Sequence, residues 1–131
     1  MLRTHSNLPL ETETLITRVI GCCIEVHRAL GPGLLERICS RAVCIELGHN
    51  GIPYEREKQI PVKYRGQFLC NQWLDIVVAN VLILEIKCVE KINPVHHAQL
   101  LNYLHIAQLR AGLLINFNVA MLQDGIKRMV L

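Results

Sequence analysis

Apolar residues recur three and four apart at Leu15, Ile16, Val19, Ile20, Cys23 and Ile24, so ETETLITRVIGCCIEVHRAL predicts an amphipathic helix. Glu11 and Glu13 suit its first turn, where the helix dipole favours negative charge. Gly31-Pro32-Gly33 ends it. A second helix is expected over roughly Leu34 to His49, with Asn50-Gly51 as its stop. The period then changes. YEREKQIPVKY alternates as a strand does, and Pro61 assigns it to a sheet edge because proline cannot donate to a ladder. Arg65-Gly66 makes a turn, and FLCNQWLDIVV and VLILEIK read as strands. After Asn93-Pro94 helical spacing returns in VHHAQLLNYLHIAQ, with Leu100, Leu101 and Leu104 as the buried stripe. AGLLINF is a buried strand, and DGIKRMVL offers a turn and a short last strand. The order α-α-β-β-β-α-β-β describes an α/β domain with a mixed sheet. A chain of 131 residues makes one domain of ordinary size, 1–131.

The two central strands carry charge where a core hairpin should not. Asp75, Glu85 and Lys87 sit among Leu, Ile and Val, and a buried charge is costly without a partner or a metal. Alternation puts Glu85 and Lys87 on one strand face, opposite Leu82, Leu84 and Ile86. A two-residue loop after the first strand would leave Asp75 on the wrong face, opposite Leu84. An odd-numbered loop or a bulge sets Asp75 opposite Glu85, and Asn80 tolerates the left-handed backbone that such a loop needs. Paired carboxylates repel unless a cation lies between them. A hard divalent cation fits: Mg²⁺, with Mn²⁺ as the alternative, takes carboxylates and keeps waters and phosphate oxygens. The Ile86 carbonyl is a further candidate ligand. Lys87 would orient or deprotonate the attacking water, or neutralise developing charge. The competing reading is a structural acid–lysine pair at a sheet end.

Two other elements bear on that choice. Gln99 and Tyr103 are four apart, so they share a helical face that differs from the leucine stripe. Glu36 falls in the first turn of the second helix, where a lone Glu is explained by the dipole. Trp73 is expected to pack, two residues before Asp75 on its strand face. His27 is expected to hydrogen-bond the following loop and so brace Glu36. His96-His97 at a helix start diverge and do not make a joint metal site.

Composition narrows the setting. The chain is 51% hydrophobic, which implies a filled core plus apolar surface covered by a second subunit, hence a homo-oligomer. The formal charge of +3 permits a nucleic-acid partner without demanding one. Lys91, Lys127, Arg128, Arg56, Lys58 and Lys63 are candidate phosphate contacts. No run of eighteen apolar residues suggests a membrane span, and MLRTHSNLPLETET has no secretory core. The six cysteines, Cys22, Cys23, Cys39, Cys44, Cys70 and Cys88, form no C-x-x-C pair. They read as reduced, small apolar groups in a cytoplasmic protein.

GPGLLE, LDIVV, LEIK and QLLNY, in this order, resemble the PD-(D/E)XK nuclease superfamily, and more closely its small bacterial group named for a G-x-x-E-x-x-Y motif. The similarity runs from about Ile16 to Arg128 and includes NPVHHAQLLNYL and AGLLINFNVAMLQDGIKR. It implies a restriction-endonuclease-like αβββαβ core with an extra N-terminal helix. It implies that Asp75 and Glu85 bind metal, that Lys87 is the lysine of the E-x-K element, and that Glu36 supports the metal directly or through water. Gln99 and Tyr103 match a Q-x-x-x-Y element that lines the site and contacts substrate or lysine. The motif's final tyrosine is Cys39 here, a departure read as a packing change. The expected function is Mg²⁺-dependent phosphodiester hydrolysis of nucleic acid, DNA favoured over RNA. The alternatives are a non-catalytic assembly module that keeps the fold, and nucleic-acid binding without cleavage.

Overall fold

The structure, a computed structural model, describes residues 7–131, so the first six residues of the segment read above for a signal lie outside the described part. The elements are α1 (Leu10–Leu30), α2 (Glu36–His49), β1 (Tyr54–Tyr64), β2 (Gln67–Val78), β3 (Leu82–Lys87), α3 (Pro94–Ala107), β4 (Ala111–Asn116) and β5 (Ile126–Val130), with a short 3₁₀ turn at Leu122–Gly125 before β5. This is the order that the periodicity predicts. The second helix starts two residues later than expected. Leu35 is extended, at φ −70° and ψ 147°, which makes Glu36 the first helical residue. Asn93 caps α3 by accepting from Val95 N, while His96 Nδ1 accepts from Asn93 N, so His96 is part of a capping box.

The sheet runs β1-β2-β3-β4-β5. The β3–β4 pair is parallel and the others are antiparallel. A parallel pair needs a long crossover, which α3 supplies. β1 lies at the edge, as Pro61 requires. α1 and α2 cover one face, where Ile16, Val19, Cys23, Val43 and Leu47 meet Ile76, Val78, Leu82, Leu84 and Ile86. α3 covers the other, where Leu100 and Leu104 meet Leu74, Val77, Ile83 and Leu114. β3 is buried from both sides, which explains its unbroken apolar run. A Cβ on Gly112 would stand 3.0 Å from the Leu100 side chain, so glycine there lets α3 settle on β4. Leu101, expected in the buried stripe, is 41% exposed; helical rotation carries it off the face that Leu100 and Leu104 present.

One irregularity shapes everything near the charges. Leu74 packs toward α3, yet Ile76 and Val78 pack toward α1 and α2, and Val77 again toward α3. Strict alternation therefore breaks at Asp75. The β1 residue facing that break is Glu57, whose φ of 55° is left-handed, and the β1–β2 ladder skips this one position. The break reverses which side of the sheet the even-numbered and odd-numbered residues of β2 face. It also corrects the expectation for Trp73, which is 53% exposed rather than packed.

His27 is buried, as a structural histidine should be, but its Nε2 meets the Val119 carbonyl at 2.8 Å instead of the glycine loop. All six cysteines are free thiols. Cys39 is buried in the α1–α2 cluster with its sulfur 3.6 Å from that of Cys88. The residue that departs from the motif is thus a core residue.

Candidate active site

The hairpin between β2 and β3 sets the site. Its connection is the three residues 79–81, and Ala79 and Asn80 take φ of 51° and 58°. The register pairs Val78 with Leu82, Val77 with Ile83 and Ile76 with Leu84. One step further, Asp75 comes alongside Glu85, as an odd-numbered loop dictates. There the ladder stops. The Asp75 carboxylate takes the place of a backbone partner: Oδ2 accepts a 3.0 Å hydrogen bond from Ile86 N. N–H and C=O of one strand residue leave by the same edge, so the Ile86 carbonyl faces the same gap.

Glu85 is 6% exposed, and its Oε1 has no hydrogen-bond partner. Burial pushes its carboxyl up to about 8, and the Asp75 charge adds to the rise; Lys87 and the Asp75 N–H oppose it, and Glu36 contributes weakly upward. Asp75, half-buried, is also raised, chiefly by burial, with the Ile86 N–H and Lys87 pulling down. Neighbouring carboxylates repel, and the more deeply buried Glu85 is raised further. Lys87 is half-buried on the same strand face and, among the described residues, makes no direct ion pair or hydrogen bond through its side chain. Its backbone carbonyl accepts from Phe117 N at 2.8 Å, which secures the end of β3.

The remaining candidates divide. Tyr103 reaches the site: burial, then Glu85 and Asp75, hold its phenol proton more tightly than usual. Its hydroxyl receives a 3.3 Å hydrogen bond from Gln72 Nε2. Gln99 is exposed and forms no hydrogen bond among the described residues. Glu36 is exposed at the start of α2, acting on Glu85 through its field. Among the described residues, no group of three or more His, Cys, Asp or Glu side chains gathers closely enough to hold a metal ion. The convergent pair is therefore Asp75 and Glu85, with Glu36 outside it.

The profile of the PD-(D/E)XK nuclease superfamily matches residues 13–129, a span that contains both acids and the lysine. The chain belongs to the PD-(D/E)XK nuclease superfamily. Its five-stranded mixed sheet between helices is the restriction-endonuclease-like arrangement of that superfamily. No curated protein and no solved structure gives a significant match. PD-(D/E)XK nucleases generally use divalent metals. The residues present fit such an ion, because an orphaned, buried Glu85 oxygen beside a second carboxylate lacks the positive partner a cation would supply.

Two residues escaped the sequence reading. Gln72 has the parity opposite to Asp75, so alternation assigns it to the other face; only the break at Asp75 brings it to Tyr103. Asn116, 2% exposed, accepts from Val89 N at 3.1 Å and Asn118 N at 3.1 Å and donates to the Val89 carbonyl at 2.9 Å. It pairs with Lys87 in the sheet and so pins the segment just past that residue. An Asn closing an apolar strand was its one visible signal.

Proposed function

We propose that this protein is a Mg²⁺-dependent phosphodiesterase acting on nucleic acid. The observation that carries the reading is the buried Glu85 carboxylate with an unpartnered oxygen, set beside Asp75 and within the field of Lys87. Asp75, Glu85 and the Ile86 carbonyl would hold the ion, with Glu36 assisting through water. The ion would supply charge neutralisation at the scissile phosphate and a more acidic water. Lys87 donates a hydrogen bond toward the attacking water or the phosphate oxygen that gains charge. Tyr103, kept protonated and oriented by Gln72, donates to a phosphate oxygen, and Gln99 lies one helical turn away to meet the strand outside the site. The Gly33–Cys39 phrase supports placement in the G-x-x-E-x-x-Y branch, with Cys39 as a packing substitution.

The test is incubation of labelled single- and double-stranded DNA and RNA with Mg²⁺, Mn²⁺ or EDTA. Metal-dependent cleavage that drops at least about a hundredfold in Lys87→Ala, with folding intact, is the expected result. No cleavage of any substrate, together with no Mg²⁺ or Mn²⁺ heat by calorimetry, would overturn it. A second reading, a homo-oligomeric assembly module, draws on the exposed Tyr64, Phe68, Leu69 and Trp73 of the β1–β2 hairpin. It calls for a stable oligomer in sedimentation without metal binding.

A further inference from the structure

Two surface features lie on the same side of the sheet, outside the acid pair. The first is a groove of about 510 Å³ between α2 and β1, floored by aliphatic side chains and lined by Arg37, Arg41 and Arg56 with no acid. Arg37 and Arg41 are four apart on α2 and engage no ion pair or hydrogen bond among the described residues. Among the described residues, Arg56 forms an ion pair only with exposed Glu57, at 3.7 Å. Arg37 and Arg41 have no acid facing them among the described residues and Arg56 has only a loose, exposed partner, so the groove carries excess positive charge that suits an anion from outside.

The second is the outer β1–β2 hairpin. Its pairs Gln59–Trp73, Pro61–Asn71 and Lys63–Phe68 share a face turned away from Ile60 and Leu74, which pack toward α3. Trp73 and Phe68 are 53% and 60% exposed. Between Glu57 and Asp75 the chain has no acidic residue, but it has Lys58, Lys63 and Arg65. Arg56 pairs with Ile76, which packs toward α1 and α2, so the arginine groove and the aromatic face are continuous. Arg56 is followed directly by Glu57, the residue opposite Asp75, so the groove ends at the strand edge beside the acid pair.

We propose that the Arg37–Arg41–Arg56 groove and the Trp73–Phe68 face form one track for single-stranded nucleic acid along the side of the sheet that α2 covers. The inference rests on the nuclease reading and adds its substrate class. Guanidiniums hold successive phosphates, and flat exposed rings accept unpaired bases. Bases of a duplex are already stacked and paired, so they cannot use Trp73.

Trp73 is the only tryptophan, so intrinsic fluorescence reports this position alone. The protein in EDTA is titrated with a labelled oligothymidine of roughly 12 nucleotides, following tryptophan quenching and label anisotropy. Binding with quenching is expected. Trp73→Ala should weaken it about tenfold. Arg37→Gln with Arg41→Gln and Arg56→Gln should lower the salt slope of log K by about 2. Circular dichroism confirms folding of each variant. Equal binding and quenching by a duplex overturns the proposal. So does equal competition by oligoglutamate, which would point to an acidic protein partner, or a wild-type dimer that Trp73→Ala dissociates. Because no metal is present, absent cleavage leaves the track standing and removes the nuclease reading. Variants that bind like wild type while the protein still cleaves remove the track and leave the nuclease.

Discussion

Glu85→Gln should make the apo protein more stable and inactive at once. The unfolded chain releases the Glu85 proton near 4.5, whereas the folded chain holds it to about 8. Between those values the native state binds the extra proton, so its stability falls as pH rises, and the full penalty is present above about pH 8. At about 1.4 kcal/mol per tenfold in proton affinity, the interval is worth roughly 5 kcal/mol, and roughly 3 kcal/mol at pH 7. With 6% exposure, little of this is screened by solvent. Glutamine keeps the shape and removes the charge, but its amide oxygen inherits the missing partner at about 1–3 kcal/mol. The net expectation is a gain of about 2–4 kcal/mol over wild type near pH 9, turning into a loss of about 1–3 kcal/mol near pH 4. Urea unfolding in EDTA, followed by circular dichroism at several pH values, measures it. Saturating Mg²⁺ should stabilise wild type and leave the variant unmoved. If wild type is as stable at pH 9 as at pH 5, or both proteins share one pH slope, the account of a strained buried carboxylate is wrong.

Asn116→Ala removes the partner of three backbone groups around Val89 and Asn118 and should cost about 2–4 kcal/mol in urea unfolding. Its cleavage rate should fall as well, because the segment after Lys87 loses its anchor. Gly125→Ala would put a Cβ 2.3 Å from the Asn116 carbonyl oxygen and should lose about 3 kcal/mol or more, seen as a lowered melting temperature or failure to fold. Tyr103→Phe deletes the hydroxyl that Gln72 contacts and should change stability by less than about 1 kcal/mol while slowing cleavage; an unchanged rate would remove Tyr103 from the chemistry.

The element order, the edge position of β1 and the odd loop that aligns Asp75 with Glu85 were all legible in the residues themselves. Each follows from a local rule: helical or alternating period, a proline without a donor, an Asn that accepts positive φ. The superfamily motifs were legible for the same reason, being short runs on single elements. Tertiary structure alone decided the rest. The left-handed Glu57 opposite Asp75 breaks alternation in β2, which brings Gln72 to Tyr103 and exposes Trp73. Glu36 stands outside the acid pair because its distance depends on how α2 lies over the sheet. The meeting of Arg37 and Arg41 with Arg56 depends on the same packing. Side-chain periodicity is a property of one segment; the spacing between groups on different segments is set by the core volume that separates them, and no local pattern encodes it.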